Sequence, residues 1–139
     1  MTAPDSHFNR MHRGDIPPPP IGSLLGMRIE ALDLQAGTLR VRYEGLDSFR
    51  NPAGKVAGGM LSAMLDDLTA LAVDATLAAD QYPLTLSLNT TFLRPAEVGP
   101  ITGQATLVRR GQELCHVTGM LQQRGKDVAM AVAICKIVR

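Results

Sequence analysis

Two adjacent carboxylates, Asp66 and Asp67, interrupt a run that is otherwise free of charge from Met60 to Val73. Burying an ionised carboxylate without partners costs several kcal/mol or pushes its pKa upward, so at least one of the two has a reason to be there. Beside a polarised acyl carbonyl, such a group acts as nucleophile or as general base toward water. The run opens on Gly58-Gly59, after Asn51-Pro52-Ala53-Gly54-Lys55-Val56-Ala57. If a helix begins there, its first N–H groups are unpaired and carry the positive end of the macrodipole. Glycine removes the side chain that would keep a carbonyl away from them, as an oxyanion site requires. The same pair is equally compatible with a tight turn and close helix packing.

The elements that must hold these groups follow from spacing. Residues 58–77 carry Met, Leu and Ala on nearly every side, with no Pro and no Gly after Gly59, in a window too long for a strand. One long, largely buried helix is expected, ended by Tyr82-Pro83. A helix rises 1.5 Å per residue, so Gly58 and Asp66 stand roughly 12 Å apart. One helix cannot offer both to one carbonyl; if both act, they come from two subunits around a two-fold axis, and a dimer is expected. Asp67 and Asp74 share a helical side and are expected on a solvated or salt-bridged face.

Extended runs flank the helix. Met27, Ile29 and Ala31 alternate, break at Gln35-Ala36-Gly37, and resume as Leu39, Val41 and Tyr43, which predicts an antiparallel hairpin. Further strands are expected over 84–93, 101–109, 114–122 and 128–138, joined by short turns with no room for parallel crossovers. Alternation puts Leu84, Leu86, Leu88 and Phe92 on one face and Thr85, Ser87, Asn89 and Thr91 on the other. Thr85, beside the helix, is a candidate to hold a water. The fold class is thus α+β: one long central helix wrapped by a curled antiparallel sheet of five to six strands.

The 139 residues suit a single domain, with a 45% hydrophobic and mainly aliphatic composition. A net charge of +1 offers no broad attraction for nucleic acid. Cys115 and Cys135 follow neither a CxxC nor a disulfide pattern, and His7, His12 and His116 do not cluster with metal ligands, so no metal and no cofactor are expected. No apolar run reaches membrane-spanning length and the N-terminus lacks a signal-type core, which predicts a soluble cytoplasmic chain without membrane partners. Residues 1–21 read as a polar arm, with room for a short helix around residues 5–12 and an extended stretch at Pro17 to Pro20, before a domain over 22–139. Arg109, Arg110, Arg124 and Lys126 flank two turns expected at one end of the sheet, where they are either solvated charges or contacts for phosphates.

From Asn51 to Asp67 the sequence resembles the hotdog-fold thioesterase superfamily, in particular the PaaI-like acyl-CoA thioesterases of phenylacetic acid degradation. Their helix opens on N-x-x-G-x-x-H-G-G and carries an Asp further down. The resemblance continues through Leu88-Asn89-Thr90-Thr91-Phe92-Leu93-Arg94-Pro95-Ala96 and covers roughly residues 22–138. It implies a homodimer or homotetramer that hydrolyses acyl-CoA, with aryl or medium-chain acyl groups. Asn51 and the Gly58 N–H would bind the thioester carbonyl, Asp66 would activate water or attack, and Thr85 would assist. Ala57, Gly59 and Met60 complete the substrate-binding set, Met60 with Leu61 and Met64 as an adaptable apolar wall. Ala57 departs from the pattern, because the family has histidine there. A catalytically silent acyl-CoA-binding protein is the rival reading. A hydratase would need a His near Asp66, and a DNA-binding regulator a helix-turn-helix; neither is present in the sequence.

Overall fold

The computed structural model describes residues 3–139. The expected helix forms as α3, Gly58–Asp74, three residues shorter than the apolar run suggests. Its inward side buries Leu61, Met64, Leu65, Leu68 and Leu71. Six strands wrap it: β1 Arg28–Asp33, β2 Thr38–Gly45, β3 Tyr82–Phe92, β4 Gly99–Arg110, β5 Leu114–Gln123 and β6 Lys126–Val138. All pairings are antiparallel, in the order β1-β2-β4-β5-β6-β3, so β3, which follows the helix, closes the far edge beside β6. This is the curled-sheet architecture expected from the alternation.

Local chemistry explains the joints. At the β1–β2 turn Gly37 takes φ +72°, and the Ala36 N–H donates to Asp33 Oδ1 at 2.9 Å. The β5–β6 turn places Arg124 and Gly125 at φ 53° and 74°, the left-handed pair that a two-residue hairpin needs. Consecutive hairpins turn at opposite ends of a sheet. The β4–β5 turn with Arg109 and Arg110 therefore lies at one end and Arg124 with Lys126 at the other, which corrects the single basic end expected from the sequence.

The helix sits low on the sheet because β4 and β5 carry glycine beneath it. A Cβ on Gly103 would lie 3.0 Å from Leu68 Cδ2, and one on Gly119 would lie 3.1 Å from Thr69 Cγ2. Either methyl would be tighter than ordinary contact and would require the facing side chain to give by a few tenths of an ångström.

The face assignment of β3 is also corrected. A bulge between Thr85 and Ser87 shifts the register, so Thr85 pairs with Cys135 while Leu88, Thr90 and Phe92 pair with Ala133, Ala131 and Ala129. Those four partners are buried beneath the helix, so Thr85 and Phe92 both face inward. Ser87, Asn89 and Thr91 pair with Ile134, Val132 and Met130 on the outer side. Leu84, opposite Lys136, and Leu86 in the bulge are left 47% and 54% exposed rather than forming the inner row.

The segment expected as a polar arm over 1–21 is docked through its first helix, while residues 12–15 and most of the proline run stay exposed; residues 1 and 2 lie outside the described range. Helix α1, His7–His12, is capped by Ser6, whose hydroxyl accepts from the Asn9 N–H. It buries Phe8 and Met11 in the core. Pro20 does not prolong an extended stretch but opens α2, Pro20–Leu24, where its missing N–H costs nothing. The Asn9 amide donates to the Ala75 carbonyl at 2.9 Å and ties α1 to the end of α3. Asp74 faces the same junction, 6% exposed, with Oδ1 lacking any partner. Burial pushes its carboxyl up to about 6, against the opposing pull of His7, the Phe8 N–H and Arg10. Among the described residues no helix is long and apolar enough to cross a membrane.

Two measurements probe this junction. Phe8→Ala should cost about 3–5 kcal/mol in urea unfolding, the range for truncating a buried aromatic; a loss below about 1 kcal/mol would show that α1 is not part of the core. Asp74 binds its proton more tightly folded than at its ordinary 3.8. Its stabilisation is therefore complete below about pH 4 and disappears as pH rises through about 6. Asp74→Asn should flatten the rise in stability between pH 7.5 and 4 by about 1–3 kcal/mol. Parallel pH profiles for variant and wild type would refute this burial.

Candidate active site

The approach to α3 is built as a folded loop. Asn51 donates its N–H to the Lys55 carbonyl at 2.7 Å, and Gly54 returns to the Asn51 carbonyl at 2.9 Å. The Asn51 side chain fastens the turn: Oδ1 accepts from the N–H groups of Ala53 at 3.0 Å and Lys55 at 3.1 Å. With its oxygen committed, the side chain presents the amide Nδ2 as a free donor. Ala57 is the N-cap of α3 and offers no side-chain cap. Its carbonyl takes the Met60 and Leu61 N–H groups. The Gly58 and Gly59 N–H groups are left without a partner among the described residues, at the positive end of the helix.

Asn51 and Gly58 line one cavity of about 420 Å³, together with Lys55, Leu61, Phe92 and Arg94. The two glycines divide the alternatives open from the sequence. A Cβ on Gly58 would stand 3.2 Å from Phe92 Cζ, so that glycine permits close packing, whereas a Cβ on Gly59 would meet nothing within 4 Å. Met60 packs against the core, and the cavity wall includes neither it nor Ala57. Arg94 is held by its donation to the Asp127 carbonyl at 2.9 Å, and Lys55 pairs with Glu97. Of the expected basic residues none lines this cavity; Arg109 lines another, at the β4–β5 turn. Lys55 and Arg94 both fall within the stretches that carry the family resemblance, but their residue types gave no reason to assign them to the cavity.

Asp66 lies two turns down α3, outside that cavity. It is exposed on the chain, and Thr85 Oγ1 donates to its Oδ1 at 2.8 Å. Thr85 was expected beside the helix as a residue that holds a water; the bulge instead brings its hydroxyl directly to the Asp66 carboxylate. Thr85 Oγ1 also lies 4.0 Å from the buried Cys135 thiol.

The burial anticipated for one of the two carboxylates falls on Asp67. Burial pushes its carboxyl up to about 6, with the Tyr43 hydrogen bond pulling down and the Asp66 charge adding to the rise. Tyr43, fully buried, donates its hydroxyl to Asp67 Oδ2 at 2.8 Å. Its phenol is held well above its ordinary range by burial, then by the charges of Asp67 and Asp66, and so remains a neutral donor. The solvated face expected for Asp67 and Asp74 is thus overturned at both positions, because α3 turns that side toward β2 and α1. Tyr43 left no signal as a partner, since it reads as one more inward residue of a β-strand.

The arrangement offers two halves of an acyl-transfer site. One end of α3 has unpaired hydrogen-bond donors at the border of a cavity, and a point two turns on has an exposed carboxylate bonded to Thr85. Comparison with known proteins places the fold in a family. Residues 47–136 match the family model of the acyl-CoA thioesterase N-terminal domain. A phenylacetic acid degradation-related protein of Ralstonia eutropha JMP134 is 51% identical, with a TM-score of 0.92 over 94% of this chain and 98% of that one. The PaaI protein of the Escherichia coli phenylacetic acid degradation operon has the same fold at 19% identity, with a TM-score of 0.83 over 95% and 94% of the two chains. A thioesterase family protein of Silicibacter pomeroyi shares the fold at 21% identity, with a TM-score of 0.82 over 94% and 98%. The chain therefore belongs to the hotdog-fold thioesterase superfamily.

Proposed function

We propose that the protein hydrolyses acyl-CoA thioesters, of aryl or medium-chain acids, as a cytoplasmic homodimer or a dimer of such dimers. Each site takes its carbonyl-binding half from one subunit and its carboxylate from the other. The observation that carries this reading is the split on α3: Asn51 and Gly58 share a cavity from which Asp66 is absent. Two unlinked donors aimed at one space fit the two lone pairs of a carbonyl oxygen, and they strengthen as it becomes an oxyanion.

In this reading the thioester carbonyl accepts from Asn51 Nδ2 and the Gly58 N–H. Asp66 of the partner subunit, oriented by Thr85 on Oδ1, uses its other oxygen to take a proton from water as that water attacks the carbonyl carbon. The tetrahedral intermediate collapses with rupture of the carbon–sulfur bond. CoA leaves as thiolate and recovers the proton. Exposure of Asp66 on the single chain supports the role of water, which must reach it. Two free buried thiols, Cys115 and Cys135, suit a reducing compartment.

A silent acyl-CoA-binding protein is the second reading, and Ala57 favours it: the family's imidazole is replaced by a methyl group beside the donor pair. Thiol release from a panel of aryl- and acyl-CoA esters separates the two. Asp66→Asn should lower kcat by at least about 100-fold with the fold intact. Equal turnover in that variant would eliminate the mechanism, and a wild type that binds but never releases thiol would establish the silent binder.

Sharing of the site has its own test. Asp66→Asn and Asn51→Ala subunits, each nearly inactive alone, should regain activity when co-refolded. In a statistical mixture about a quarter of the sites combine an intact Asn51 with an intact Asp66. No recovery from dimers shown by mass spectrometry to be mixed would place both halves within one subunit.

A further inference from the structure

Helix α3 is held on the sheet mostly by aliphatic contacts, which are non-directional and do not by themselves aim a polar side chain. Among the described residues, three side-chain hydrogen bonds join it to the sheet: Tyr43 to Asp67, Thr85 to Asp66, and Ser62 to Thr90 at 3.5 Å. The last is at the limit of a hydrogen bond. Tyr43 lies on β2 and Thr85 on β3, with β4, β5 and β6 between them in the sheet. The two strong bonds therefore grip adjacent residues, about 100° apart around the helix, from opposite walls of the curl. Thr85 sits on an edge strand and grips an exposed carboxylate. Tyr43 is wholly buried, against a carboxylate that burial has made costly to ionise. Gly103 adds to the fit: a Cβ there would lie 3.3 Å from Tyr43 Cε2 as well as against Leu68.

We propose that Tyr43 and Asp67 are a positioning pair, whose hydrogen bond sets the rotation of α3 and so aims the Asp66 carboxylate at the acyl carbon. This rests on Asp66 as the proton acceptor proposed above. Neither residue touches substrate. The pair joins a wholly buried tyrosine to a half-buried carboxylate, and Asp66 inherits its direction from it through the helix backbone. It also accounts for an aspartate at 67, where an apolar residue would pack without a desolvation cost.

The experiment compares Tyr43→Phe, Asp67→Ala and Asp67→Asn in the intact oligomer, well below their melting temperatures. Tyr43→Phe and Asp67→Ala should lower kcat by about 10- to 100-fold, the scale of a misplacement near 1 Å, with KM unchanged. Asp67→Asn, whose amide oxygen accepts the same phenol, should restore most of kcat. In an Asp66→Asn background Tyr43→Phe should have no further effect, because nothing remains to be aimed. A folded Tyr43→Phe enzyme with full kcat, or one altered only in KM, would overturn the proposal. The crystal structure of Tyr43→Phe supplies a test independent of turnover. Rotation of α3 with the Thr85–Asp66 bond broken is expected, and an unmoved helix would overturn the pair's role. Should Asp66→Asn instead prove fully active, the catalytic reading fails, and the crystal structure alone decides whether Tyr43 orients the helix.

Discussion

A helix laid across a sheet can be buried only as deeply as the side chains beneath it permit. Here the limit is set by Gly103 and Gly119 on β4 and β5, where even a methyl group would crowd Leu68 or Thr69. Low seating brings the whole inward side of α3 into contact with the curl, which lets strands as distant in the sheet as β2 and β3 reach the same helix. The same depth forces a choice on every polar residue of α3. Asp66 and Asp67 are neighbours in sequence, yet one remains exposed with Thr85 while the other is drawn under the helix to Tyr43. Depth of seating is thus what turns an Asp-Asp dipeptide into two different chemical groups.

Rigidity of the helix has a second consequence. Its N-terminus concentrates unpaired N–H groups, and its length separates them from Asp66 by roughly 12 Å, a distance no side-chain rotamer closes. The loop before the helix adds the Asn51 amide to the N-terminal donors, not to the carboxylate. In the proposed reading each chain therefore carries one half of the site at the start of α3 and the other at the middle of the same rigid rod. Two-fold pairing is the simplest operation that brings unlike halves together, and it does so twice. The free edge of β3, with Leu84 and Leu86 outward beside it, is consistent with a surface that another copy covers.

How much of this was legible in the sequence depended on whether the deciding contact was local. Helix α3, the six strands and their antiparallel character were legible, because periodicity and turn residues act over a few positions; the placement of β3 at the far edge beside β6 was not. The pairing of Gly58-Gly59 with a helix start was legible for the same reason. Phe8 and Met11 were not, since a lone pair of apolar residues three apart in a polar segment becomes core only through the docking of α1 on Asp74 and Ala75. The burial of Asp67 depended on Tyr43, which is 24 residues away and otherwise ordinary. Alternation alone assigned the faces of β3, and it failed because a bulge is decided by the partner strand.

That bulge reconciles two demands made on one strand. Phe92 must point inward to cover Gly58 at the start of α3, and Thr85 must point inward to meet Asp66 further along it. The two positions are an odd offset apart, seven positions, and in a regular strand they would face opposite sides. One extra residue restores the parity: between Thr85 and Ser87 the register shifts against β6, and Leu86 is the residue displaced. The displacement leaves Leu86 in solvent on the chain, a local loss accepted at an edge strand where bulges are best tolerated. A strand without it would deliver either the phenyl ring that closes the donor cavity or the hydroxyl that orients the carboxylate, but not both. The irregular residue of β3 is thus the element that lets a single strand furnish both halves of the proposed site.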